Sequence, residues 1–244
     1  LSAIVYGLVM NYAGYMLKAA HIAVVAKAVT TGQIPDNMVE EGKAMVIKRF
    51  GATNVYLVLD RLIGGAVREL QKTVGKVGNI FSGVPGMDKV VEFLQTFIGI
   101  ALGYIDECCL GYTFYKEGEG AFKAGCDGVV IYFQNIKKLL KTALLTTVLV
   151  MVFSFLAWLL PFLLLVVICN ALEWGWIGAA FLSIIVSMAL KYAFIDSFIM
   201  IRTMNAYMEV APGTAITFDL YDKLCKLSAK FRSLFDKAKG EMVA

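Results

Sequence analysis

Seven ionisable side chains, His21, Asp60, Arg61, Asp106, Glu107, Lys191 and Asp196, fall in or beside apolar stretches of a very hydrophobic chain. A charge at the centre of a bilayer costs at least about 2.5 kcal/mol unless it is paired or hydrated, so each is a candidate for a solute site, a pore lining or a proton relay. Asp106 and Glu107 are adjacent carboxylates with Tyr104 and Tyr112 nearby in sequence. Aromatic faces beside a carboxylate suit an ammonium ligand, and structural hydrogen bonding or interfacial exposure would use the same residues. Asp60 and Arg61 point about 100° apart on a helix, so each is expected to pair with a neighbouring helix. Lys191 and Asp196 lie five apart, a poor spacing within an α-helix, so their partners are expected on another span. His21, the only histidine, suits packing or an interfacial place better than chemistry.

Enzyme and metal templates find no match. One histidine excludes two-histidine metal motifs, and no Gly-x-Ser-x-Gly elbow or phosphate-cradling Gly-x-x-x-x-Gly-Lys-[Ser/Thr] loop is present. Gly118-Glu-Gly120 lacks the strand and later glycine of a dinucleotide site. The five cysteines, Cys108, Cys109, Cys126, Cys169 and Cys225, are odd in number and form no Cys-x-x-Cys, which argues against both a disulfide framework and a zinc site. No catalytic residue, cofactor or metal is therefore expected, and nothing suggests a nucleic-acid partner.

The elements that must position these groups are membrane helices. The 244 residues are 59% hydrophobic and only 17% charged, with mean hydropathy +0.71; soluble domains are roughly 45–50% apolar and 25% charged. Thr142 to Leu172 carries no charge and is apolar on every side, longer than the roughly 20 residues a span needs. After Glu173 a second uncharged run extends from Trp174 to Leu190. Trp174 and Trp176 fit an interfacial aromatic belt, so a transmembrane hairpin is expected here.

Three further spans are expected. Leu1–Val29 is too long for a signal segment and reads as a span whose upstream sequence is absent, with Lys27 anchoring to headgroups. Val55–Val67 is a weaker span, requiring Asp60 and Arg61 to face protein or water. Val90–Tyr115 is a third, in which Gly99 and Gly103 let a neighbouring helix approach. Beyond the hairpin turn the last span runs to about Met204, with a small-residue stripe at Ala179, Ser183 and Ser187 for helix packing. Phe122, Cys126, Val129, Phe133, Ile136 and Leu140 alternate by four and three, predicting an amphipathic interfacial helix before the long span. Leu220, Leu224, Leu227, Phe231 and Leu234 repeat that rhythm among lysines, as a short coiled coil or a basic amphipathic helix would.

The predicted fold is thus an all-α polytopic membrane protein of about five spans plus interfacial helices: residues 1–210 form a transmembrane domain and 211–244 a cytoplasmic tail. Basic clusters after the first span, before the fourth and in the tail place the amino end outside and the tail in the cytoplasm by the positive-inside rule, and a multi-pass place in the plasma (inner) membrane is expected.

Ala124-Gly-Cys-Asp-Gly-Val-Val-Ile-Tyr-Phe-Gln-Asn135-Ile-Lys, followed by Leu160-Pro161 opening a further apolar run, resembles the carboxyl-terminal half of the choline transporter-like family. The order of spans, amphipathic helix, hairpin and charged tail is similar over most of the chain. The family's cysteine-rich segment before the small-residue helix is missing, as are its amino-terminal spans. The resemblance implies transport of a cationic or amine solute such as choline. An uncharacterised bacterial membrane family is the other assignment. Either way the expected function is a transporter or channel-like protein using Asp106, Glu107 and Asp196. The alternative is a membrane scaffold or assembly subunit, and in both cases a homo-oligomer or larger membrane complex in the lipid bilayer is expected.

Overall fold

A computed structural model of the chain describes residues 2–51, 53–78 and 103–243, all of whose regular structure is helical. In chain order the helices are α1 (Ser2–Thr31), α2 (Met38–Phe50), α3 (Thr53–Gly78), α4 (Ile105–Tyr115), α5 (Ala121–Gln134), α6 (Ile136–Ala171), α7 (Gly175–Leu190), α8 (Asp196–Val210), α9 (Phe218–Leu227) and α10 (Ala229–Val243). One turn of π-helix, Lys191–Ile195, joins α7 to α8.

The molecule divides into a packed helical body and a long apolar hairpin. At 1.5 Å per residue, α6 extends about 54 Å. Its first residues belong to the body, where Leu139 is buried, whereas Val148–Ala171 projects beyond it. Leu160, Leu163, Leu164 and Val167 there are all more than half exposed, as are Phe181, Ile185 and Met188 of α7. An apolar surface this continuous is far larger than soluble proteins leave open to water. The 24 residues of Val148–Ala171 cover about 36 Å, enough for the hydrocarbon core.

The hairpin turns through a helix cap. Trp174 N–H donates to the Cys169 carbonyl at 2.9 Å and Glu173 N–H to that of Asn170 at 3.2 Å. This closure requires a left-handed residue after the last helical turn, and Glu173 supplies it with φ 62°. Of the small-residue stripe, Ala179 and Ser183 are the buried residues of α7, and Ser187 is half-buried. Gly99 lies outside the described residues, and Gly103 is exposed.

Among the described residues two helical segments, not five, are long and apolar enough to cross a membrane: Val148–Ala171 and Gly175–Gly213. The reason is visible in the others. Helix α3 buries Tyr56, Leu59, Ile63, Ala66, Val67 and Leu70 on one face and exposes Arg61 and Arg68 on another, the pattern of a helix lying on a protein core. With 11 residues α4 is too short to span, and most of the expected third span before it lies outside the described residues. The second half of α1 is built into the body through Ala19, Ala20, Ile22, Ala23 and Ala26. There Gly42 of α2 crosses so closely that a Cβ would stand 2.7 Å from the Ala20 carbonyl oxygen.

Helix α5 is a core helix rather than an interfacial one, buried continuously from Ala124 to Tyr132. Its small residues make that possible. A Cβ at Gly125 would meet Leu59 and Ile63 of α3, and one at Gly128 would stand 3.2 Å from the Cys109 backbone of α4. Asn135 ends the helix, its Nδ2 donating to the Ile131 carbonyl and to Thr214 Oγ1, both at 2.9 Å. The tail also packs on its own chain. Leu224, Phe231, Leu234 and Ala238 are buried against α3 and α5, with Ser228 breaking the heptad run into α9 and α10.

Candidate functional site

Lys18 stands on α1 where the chain passes from exposed Leu17 to buried Ala19. Two other helices bring carboxylates to it. Asp60 projects from α3, and Asp106 and Glu107 form the first turn of α4, where exposed amide groups favour negative charge. Lys18 Nζ lies 3.1 Å from Asp60, 3.5 Å from Glu107 and 3.7 Å from Asp106. Neighbouring oxygens stay unmet: Tyr56 Oη and Glu107 Oε2 are buried and have no hydrogen-bond partner among the described residues.

The electrostatics follow from this crowding. Burial first, then the adjoining Asp106 carboxyl, pushes Glu107 up to about 8, with the Lys18 ammonium pulling the other way. Glu107 is therefore largely protonated at neutral pH. Burial works against the Lys18 charge, but the surrounding carboxylates outweigh it and hold its pKa above the usual lysine value. The half-buried phenol of Tyr104 is also pushed up, to about 12, by burial and then by Asp196 and Glu107.

A cavity of about 390 Å³ opens beside the cluster, lined by Tyr15, Lys18, Asp60, Arg61, Gly64, Val67, Arg68, Gly103 and Asp106. Its position relative to the hairpin is set by Tyr104, which packs against Val150, Ile195 and Ile199, where the two apolar arms leave the body. The cavity thus lies at the base of the hairpin. Its wall combines cationic, anionic and uncharged surface, so it can order a small polar molecule by charge.

Of the residues singled out from sequence, Asp60, Arg61, Asp106, Glu107 and Tyr104 converge here. Tyr112 does not; its ring packs edge-on against Tyr207, 6.2 Å away, inside the body. Asp196 pairs with Lys191, contrary to the expectation of partners on another span. The π-turn brings residues five apart into register, and Lys191 Nζ reaches Asp196 at 2.9 and 3.1 Å. Lys27 pairs with Glu41 of α2 rather than reaching for headgroups. His21 is exposed. Sequence reasoning passed over Lys18, the hub, because its partners lie 42, 88 and 89 residues away and leave no mark in local spacing, and Arg68, whose place on the cavity wall is set by tertiary packing.

A second buried network serves the tail. Asp127 of α5 is 3% exposed; it accepts from Lys123 Nζ at 2.7 Å and from the Tyr221 hydroxyl. Glu241 closes the same end, accepting from the backbone N–H groups of Phe122 and Lys123 at 2.9 and 3.0 Å. A larger cleft of about 700 Å³ between α1, α2 and the end of α4 is bordered by the Lys27–Glu41 and Lys48–Glu117 pairs, whose charges already satisfy one another. All five cysteines are free thiols, and no group among the described residues is arranged to hold a metal ion. Compared with protein-family models, curated proteins and solved structures, the chain matches none.

Proposed function

We propose that this is an integral membrane protein that binds and moves a small cationic or amine solute, with Asp60, Asp106 and Glu107 as the solute-facing carboxylates. One observation carries this reading: the Lys18 ammonium sits within 3.7 Å of all three carboxylates, at the edge of an open cavity. Lys18 acts as a built-in amine, occupying the place a solute ammonium would take when the lysine swings aside. The resemblance of the Ala124–Lys137 stretch to choline transporter-like proteins supports the same solute class. From Thr142 to Leu190 there is no lysine or arginine, whereas the body is rich in both. The positive-inside rule then places the body and tail in the cytoplasm and the Trp174 turn outside the plasma (inner) membrane, in a multi-pass chain.

The test is amine flux into proteoliposomes. Asp106→Asn combined with Glu107→Gln should reduce flux at least tenfold while leaving the purified protein folded; undiminished flux would remove these carboxylates from any transport role. The scaffold reading draws on Phe218 and Leu227, apolar tail residues that are 82% and 51% exposed. Replacing both with serine should lower the detergent-solubilised mass if the tail holds copies together. Leu224 and Phe231 are poorer probes of assembly, since they are buried within the chain itself.

A further inference from the structure

The cavity beside Lys18 holds two features that an amine alone would not use. Arg61 and Arg68 both line it, both are exposed, and neither has a hydrogen bond or ion pair among the described residues. They lie seven apart on α3, two turns along one stripe and about 10 Å apart in rise. Between them Gly64 leaves the wall bare; even an added Cβ would come no closer than 3.6 Å to the nearest atom, Asp106 Oδ2. Guanidinium groups present planar forks of donors that match phosphate oxygens. Carboxylates from α3 and α4 face the same space. Behind them the fully buried Tyr56 hydroxyl lacks a partner among the described residues, and desolvation, then the charges of Asp60, Glu107 and Asp106, pushes its pKa up.

A ligand that satisfies both walls carries both charges. A plain amine would leave the two arginines unmatched, and a plain phosphate would make no use of Asp60 and Asp106, which would stay with Lys18. We propose that the cavity binds an aminoalkyl phosphate, its ammonium toward Asp60 and Asp106 and its phosphate toward Arg61 and Arg68. This inference rests on the amine-binding reading above and narrows the class of ligand. About 390 Å³ is within the range of small-molecule sites. The location adds a source. Tyr104 ties the site to the start of the lipid-exposed arms, the depth at which phospholipid headgroups lie. A lipid headgroup and a soluble aminoalkyl phosphate share the chemistry, and the experiment separates them.

The purified chain in neutral detergent is titrated calorimetrically with ethanolamine, inorganic phosphate, phosphoethanolamine and a short-chain phosphatidylethanolamine. Phosphoethanolamine should bind at least tenfold more tightly than ethanolamine or phosphate. The Arg61→Gln/Arg68→Gln double variant should reduce that advantage below threefold, with unchanged helicity by circular dichroism showing that it is folded. A further gain for the short-chain lipid identifies a headgroup site, and equal affinity identifies a soluble ligand; both support the proposal. Ethanolamine binding with no advantage from the phosphate overturns this inference and leaves the amine reading standing. Absence of binding by any amine-bearing probe overturns both.

Discussion

Lys18 Nζ is 3.1 Å from Asp60 Oδ1, and this contact fastens α1 to α3 beside the acidic first turn of α4. One ammonium serves three carboxylates, so removing it leaves like charges facing one another in a partly desolvated place. The network remains partly open to solvent, which screens the repulsion. Lys18→Met should cost about 1–2 kcal/mol, seen as a lower Tm in detergent, and Lys18→Arg should recover most of it.

Glu107 makes stability depend on pH in a particular direction. Its folded pKa of about 8 lies above the ordinary glutamate value of 4.5, so the folded state holds a proton that the unfolded chain gives up first. Stability should be highest below pH 4.5 with respect to this group, fall as pH rises toward 8, and level off once the folded carboxyl also ionises. The slope cannot exceed about 1.4 kcal/mol per pH unit. Glu107→Gln, which imitates the neutral acid, should flatten the dependence of Tm on pH across that window.

Asp127 and Tyr221 tie the tail to the core helix α5. Tyr221→Phe should cost about 1–2 kcal/mol, and Asp127→Ala more, because it leaves the tyrosine hydroxyl buried without an acceptor. The two losses should not add in a double-mutant cycle, with a coupling of at least about 0.5 kcal/mol. Limited proteolysis between Val210 and Phe218 should accelerate in both variants if this contact keeps the tail docked.

At the hairpin turn, Glu173 occupies a left-handed conformation in a cap that glycine fills most readily. A side chain there costs roughly 1–2 kcal/mol relative to the right-handed region. Glu173→Gly should therefore raise Tm, by an amount corresponding to about 1 kcal/mol, when measured by thermal denaturation in detergent.

The amino-acid sequence by itself determined the hairpin. A run of 31 residues without charge is apolar on every side and long enough to cross a membrane, and helical periodicity of this kind is a local property that neighbours along the chain settle. It also marked Asp60, Arg61, Asp106 and Glu107 as groups needing partners. Only the tertiary structure decided that the carboxylates share Lys18 and that Arg61, expected to pair with a neighbouring helix, has no ion pair among the described residues. Lys18 reaches across 42, 88 and 89 residues to three carboxylates, Arg68 lines the same cavity, and α3 and α5 lie on a packed body where periodicity alone suggested a span and an interfacial helix. An amphipathic pattern states that one face must be covered and leaves open whether lipid or protein covers it. The π-turn at Lys191 belongs to the same class: a spacing of five is wrong for an α-helix, and a single inserted residue in the turn makes it right.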